Sequence, residues 1–136
     1  NTQSEIGKAI GRMGMLLKDE GVLILQTVNY DRILKFNIDS LPTIINEKEG
    51  VEFIRKYEFD NETGLINFNT FLTVEREGVK KELKNSVSLY PLRSADMKEI
   101  LKNSGFGRIE LYGDFAGSAF NDDSFAMVVR ARREST

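Results

Sequence analysis

The side chains best placed for chemistry follow an unbroken apolar run. Val22, Leu23, Ile24 and Leu25 offer no polar face and read as the start of a buried strand over 22–28. That strand ends in Asn29-Tyr30-Asp31, so an amide, a phenol and a carboxylate stand at its carboxyl end. Open α/β sheets bind their ligands there. Asn29 and Tyr30 are therefore candidate substrate-binding residues, suited to orienting a substrate more than to reacting with it. Asp31 is expected to cap the turn that follows. Tyr90, just before Pro91, reads as a hinge or as a second substrate contact. Asp114, between Gly113 and Phe115, reads as the anchor of an Asx-turn or as an acceptor for an amine proton. Arg55 alternates with Phe53, Tyr57 and Phe59. Such a cation-and-aromatic face is either solvated surface or a further substrate contact.

Missing residue types narrow the chemistry further. The chain has no histidine and no cysteine. That removes the commonest general base, the commonest zinc ligand, thiolate nucleophiles and disulfides. Catalysis must then rest on Asp, Glu, Tyr, Lys, Asn or Arg, or on positioning alone. No single catalytic residue and no metal-ligand set stands out. With a net charge of −2 and its basic residues spread along the chain, the protein carries no nucleic-acid footprint and no polybasic membrane anchor. No apolar run approaches the roughly 18 residues of a membrane span, and no signal-peptide pattern opens the chain. A cysteine-free chain of this kind is expected in the cytoplasm. At 136 residues it is long enough for one domain with a real core. It begins with Asn1 rather than Met, and part of a longer protein is expected.

The elements that must hold these residues follow from periodicity. Residues 4–20 read as an amphipathic helix with Ser4 as N-cap, Ile6, Ala9, Ile10, Met13 and Leu17 on its apolar side, and Gly21 as its stop. Gly7, Gly11 and Gly14 weaken it and suit a close neighbour on one face. Strand 22–28 follows at once. Residues 31–50 show no period and read as a loop with one short turn. Three alternating strands come next, over 51–60, 65–75 and 79–90, separated by Asn61–Gly64 and Arg76–Gly78 turns. They should form an antiparallel meander, and the mixed charges on its third strand should protect an exposed edge. A helix over 94–104 is expected, capped by Ser94 and stopped by Gly105 with Phe106 folding back. Strands at 108–112 and 124–132 close the chain around a loop at 113–123, and the last four residues should fray.

This succession resembles the C-terminal half of a class I S-adenosylmethionine-dependent methyltransferase. Within that superfamily it is most similar to the glycine/sarcosine N-methyltransferase-like branch. The residues that carry the resemblance are Asn29-Tyr30-Asp31 with Ile33-Leu34, then Leu89-Tyr90-Pro91, then Tyr112-Gly113-Asp114-Phe115. Their order and spacing are more specific than any one tripeptide. The resemblance implies that 22–28 is the fifth strand of a seven-stranded sheet. It implies that 108–112 and 124–132 are the sixth and seventh, with the seventh antiparallel and slotted beside the fifth, and that 51–90 is an insertion roofing the substrate. It also implies S-adenosylmethionine as cofactor, held mainly by a Gly-rich loop and an acidic residue upstream of Asn1. In the glycine-methylating enzymes an Arg before Asn-Tyr-Asp clamps the substrate carboxylate. Val28 stands there in this chain, which leaves the class of acceptor open.

The expectation is thus an α/β fold, a partial Rossmann-like methyltransferase sheet of strands five to seven with a three-stranded antiparallel insertion and two flanking helices. The whole of 1–136 would form a single domain, the C-terminal portion of a methyltransferase domain without its cofactor-binding half. Its function would be the substrate side of methyl transfer to N or O of a small molecule, with the isolated chain inactive. Asn29, Tyr30, Arg55, Tyr90 and Asp114 are the substrate-binding candidates. The rival class is a non-enzymatic α+β module holding a small ligand. A third expectation is a homodimer formed through the exposed edge of strand 22–28.

Overall fold

Thr2 and Glu5 start the first helix reciprocally. Thr2 Oγ1 accepts from the Glu5 N–H at 3.2 Å, and the Glu5 carboxylate accepts from the Thr2 N–H at 3.3 Å. This capping box opens α1 (Gln3–Met15), so Ser4, the expected cap, lies inside the helix. The computed structural model describes residues 2–135. They divide into two units, one built from the residues up to Asn37 and those from Leu92 onward, the other from Ile38–Pro91.

In the first unit α1 ends at Met15, five residues before the expected end at residue 20. Its last carbonyls are met by tightened turns, Leu16 N–H to Met13 O at 3.2 Å and Leu17 N–H to Gly14 O at 3.1 Å. Glu20 takes a left-handed φ of 64° and donates its N–H to the Arg133 carbonyl at 3.1 Å, which turns the chain into the sheet early. Arg133 and Glu134 are likewise bonded to Gly21 and Gly105, so the frayed end expected from 133 does not begin there. Thr136 lies outside the described residues. Gly14 is the one helix glycine with a close neighbour: a Cβ there would lie 3.2 Å from the Phe106 ring, whereas Gly7 and Gly11 face open space.

The sheet of this unit has the order β1 (Val22–Val28), β7 (Ala126–Arg133), β6 (Phe106–Tyr112). β7 runs antiparallel to both neighbours, with Val28 opposite Ala126 and Tyr112 opposite Val128. The last strand therefore sits between the other two, in the arrangement implied by the resemblance. β6 begins two residues earlier than expected and is broken by a bulge between Gly107 and Glu110, where Arg108 has φ 43°.

The apolar run in β1 is not buried on both faces. Leu23 and Leu25 turn inward, but Val22, Ile24 and Gln26 are exposed, and among the described residues the strand pairs only with the antiparallel β7. Apolar composition alone cannot separate a strand covered on both sides from an edge strand. The core beneath is made by Phe106, Met127, Val129 and Ala131 of the sheet and Met97, Ile100 and Leu101 of α3 (Ser94–Asn103). Gly105, at φ 86°, ends α3 and donates its N–H to the Lys102 carbonyl.

Residues 31–50 hold more structure than expected: α2 (Tyr30–Lys35) belongs to this unit, and β2 (Ile44–Asn46) to the second. β2 extends the expected meander to four strands, in the order β2, β3 (Val51–Phe59), β4 (Ile66–Arg76), β5 (Val79–Leu89), all antiparallel. The period-two alternation sets its faces. Phe53, Tyr57, Phe59, Ile66, Phe68, Leu72, Leu83 and Val87 share one face, while Glu52, Lys56, Glu58, Lys80, Glu82 and Lys84 share the other. Gly50, at φ 65°, admits only glycine, because a Cβ there would collide with the Glu75 carbonyl.

Candidate functional site

The first unit places its polar candidates around the carboxyl end of β1. Asn29 follows the strand directly and is 2% exposed. Its Oδ1 accepts from the Arg32 N–H at 3.4 Å, which caps α2. Its Nδ2 donates to the Ser124 carbonyl at 2.8 Å and the Asn121 carbonyl at 3.2 Å. Its own N–H donates to the Phe125 carbonyl. Both amide hydrogens and the amide oxygen are thus engaged, and Asn29 fixes the turn that leads into β7. Tyr30 is buried in the first turn of α2.

Asp31 does not cap that turn, since Asn29 does. Its carboxylate reaches the start of α3, accepting from the Ser94 hydroxyl at 2.5 Å, the Ser94 N–H at 3.3 Å and Arg93 Nε at 3.1 Å. Ser94 therefore lies inside the helix it was expected to cap, and the cap arrives from 63 residues away. Burial works to raise the Asp31 pKa, but the hydrogen bonds from Ser94 and Arg93 outweigh it and hold the carboxyl below its ordinary range.

The connection between β6 and β7 folds in two tight turns. In the first, Asp114 Oδ1 accepts from the Ala116 and Ser118 N–H groups at 2.9 and 3.1 Å, and Oδ2 accepts from the Ser118 hydroxyl at 2.6 Å. These bonds, led by the Ser118 hydroxyl, lower the Asp114 pKa. In the second, Asn121 Oδ1 accepts from the Asp123 N–H at 2.9 Å, and Ser124 Oγ accepts from the Asn121 N–H at 3.1 Å. The basic residues of α2 bind this second turn. Lys35 pairs with Asp122 at 2.5 Å, and the Arg32 guanidinium lies 4.4 Å from the centre of the Phe125 ring.

Between the turns lies an open concavity of about 550 Å3, lined by Gln26, Asp114, Phe115, Ser118, Asn121 and Phe125 among others. Phe115 is 70% exposed and Phe125 75%, so two aromatic rings flank a rim of amide, hydroxyl and carboxylate groups. A small molecule with apolar and hydrogen-bonding parts fits such a surface. Sequence reasoning singled out Asp114 but missed Phe115, Phe125 and Arg32. Their only local signal was the Asn121-Asp122-Asp123-Ser124 turn composition.

Arg55 and Tyr90 belong to the second unit. Arg55 shares the apolar face with Phe53 and Tyr57, as its alternation requires. Its guanidinium lies 5.7 Å from the Phe53 ring centre, donates from Nη2 to the Pro42 carbonyl at 3.0 Å, and leaves Nε without a partner. Tyr90 is half-buried just past β5.

No strand–glycine turn–helix occurs among the described residues. The left-handed glycines are Gly50, Gly64, Gly78, Gly105 and Gly117, in turns or ending α3, and Gly7, Gly11 and Gly14 lie inside α1. These residues do not make a nucleotide cradle. Among them no cluster of carboxylates could hold a metal ion, and no helix is long and apolar enough to cross a membrane.

Known proteins share this arrangement. A crystal structure of an S-adenosylmethionine-dependent methyltransferase from Clostridium acetobutylicum matches 98% of the chain with a TM-score of 0.80 at 11% identity. The fold is that of the S-adenosylmethionine-dependent methyltransferases. The sequence points to the same proteins. Over 116 residues, 85% of the chain, it is 30% identical to a glycine/sarcosine/dimethylglycine N-methyltransferase of Actinopolyspora halophila. Over 131 residues it is 28% identical to a glycine/sarcosine N-methyltransferase of Halorhodospira halochloris. The chain spans 19% and 44% of these two relatives and 53% of the methyltransferase of known structure. No family model matches the chain.

Proposed function

We propose that the chain is the substrate-side portion of an S-adenosylmethionine-dependent methyltransferase, part of one methyltransferase domain. It would serve transfer of a methyl group to nitrogen or oxygen of a small acceptor. The observation that carries this reading is the concavity beside the carboxyl end of β1, clamped by Asn29, on a sheet with the methyltransferase strand order. The N-methyltransferase relatives favour nitrogen over oxygen.

The cofactor, S-adenosylmethionine, would be bound mainly by residues outside this chain, and the chain alone would be inactive. The missing nucleotide cradle and the partial span of its relatives both support that division. No side chain here is assigned an acid–base role. Methyl transfer needs an aligned lone pair and a dry site, so positioning carries the catalysis. Asp114, Phe115 and Phe125 would contact the acceptor; Asn29 and Tyr30 would fix the wall they stand on. On the second unit, Arg55 and Tyr90 are proposed as further contacts, Arg55 through guanidinium hydrogens not used by Pro42. Val28, where the glycine-methylating enzymes resembled here place an Arg, argues for an acceptor other than glycine. The absence of cysteine supports a cytoplasmic setting. The outer edge of β1, with Val22 and Ile24 exposed, would pair with a second copy wherever nothing else covers it.

The test is methyl transfer by the longer protein containing this chain, assayed on a panel of small amines and alcohols. Phe125→Ala should raise the acceptor KM about tenfold while leaving cofactor affinity unchanged. Transfer to no member of the panel, or a loss confined to cofactor binding, would contradict the reading.

A further inference from the structure

The second unit ends its sheet on β5, an eleven-residue strand that pairs only with β4 among the described residues. It is exposed from Val79 to Ser88. Its outer side presents a row of backbone donors and acceptors, a template for another strand. On one face it exposes Val79, Leu83 and Val87, and on the other it carries Lys80, Glu82 and Lys84. Mixed charge discourages arbitrary strands from adding here, but one partner fits.

Consider two copies joined antiparallel about a two-fold axis, with apolar and charged faces each continuous. Residues then oppose one another odd to odd and even to even. With Glu82 opposite itself, Lys80 would meet Lys84. With Lys84 opposite itself, Lys81 would meet Val87. Leu83 opposite itself avoids both conflicts. Glu82 then meets Lys84 twice, Val79 meets Val87 twice, and Lys80 meets Ser86. Along this stretch an apolar hollow of about 500 Å3 opens beside Val74, Val79 and Leu83, where Val87 of the second copy would lie.

We propose that β5 is a homotypic pairing edge. Two copies join antiparallel with Leu83 opposite Leu83, fusing two four-stranded sheets into one. The Glu82–Lys84 pairs select this register, and on the other face the valine and leucine pairs alternate with Lys81 opposite Asn85, so no like charges meet. The inference stands apart from the methyltransferase reading and uses a different edge from β1.

The chain has no cysteine, so single-cysteine variants report the register cleanly. In the proposed pairing the sulfurs of two Leu83→Cys copies can meet, whereas residues at 85 stand about 13 Å from each other along the strands. Under mild oxidation Leu83→Cys should therefore cross-link at least about tenfold faster than Asn85→Cys. In sedimentation, Glu82→Lys should weaken the dimer by about tenfold, and Glu82→Lys with Lys84→Glu should restore it. A monomer across a hundredfold dilution would overturn the proposal. So would equal cross-linking at 83 and 85, or a dimer indifferent to the charge reversal, as pairing through β1 would give.

Discussion

Asn29 Nδ2 donates to the Ser124 carbonyl at 2.8 Å across 95 residues of sequence. That bond ties the end of β1 to the turn entering β7, and the rim of the concavity hangs from it. Asn29→Ala should remove the α2 cap and strip the half-buried Ser124 carbonyl of its Asn29 partner, while the Asn121 carbonyl keeps the Ser124 N–H, destabilising the first unit by about 1–3 kcal/mol. Asn29→Asp keeps the capping oxygen but sets a carboxylate against those carbonyls, so it should be no better than alanine. Urea unfolding of both variants decides this; a milder Asp variant would mean that the cap matters more than the clamp.

The Asp31 carboxylate should link stability to acid. Its folded pKa lies below the ordinary 3.8 and its unfolded pKa near it. The stabilisation is therefore present above about 3.8 and lost as pH falls through the lower folded value. Asp31→Asn should flatten that acid dependence and loosen the start of α3. Thermal unfolding between pH 5 and 2.5 would show it, and a variant with the parent's slope would remove Asp31 from the account.

The α1 glycines should respond with opposite signs. Gly7 and Gly11 face open space, so alanine at either should stabilise by about 0.5–1 kcal/mol through helix propensity. At Gly14 the added methyl would press at 3.2 Å on the Phe106 ring, which is 2% exposed. Gly14→Ala should therefore be destabilising despite the same propensity gain. Comparative melting of the three variants checks the contrast, and a stabilised Gly14→Ala would show that the ring yields.

The Arg32–Phe125 stack predicts a smaller effect. Phe125→Ala should cost about 0.5–1 kcal/mol at this exposed site. A double-mutant cycle with Arg32→Ala isolates the pair, and additive losses would show no coupling.

How far these relations could be read in advance depends on their range in sequence. The meander was legible because strands 51–59, 66–76 and 79–89 alternate with period two between glycine turns. Strand 22–28 was legible as a strand, but the exposure of Val22 and Ile24 on one of its faces was not, since it depends on what covers the sheet. α2 and β2, six and three residues long, are too short to show a period. The cap of α3 was misplaced because a local serine is the ordinary signal, while the real acceptor, Asp31, comes from a distant helix. Of the candidate site, Asn29 and Asp114 were visible as polar residues at strand ends. Phe115 and Phe125 gained meaning only once the turns brought them to one rim.

Calorimetric titration of S-adenosylmethionine into this chain and into the longer protein containing it tests the division of labour most directly. The account predicts tight binding to the longer protein and none to residues 1–136 alone. Equally tight binding to the chain alone would contradict it, as would binding to neither, which would leave a ligand-holding module that shares only the fold.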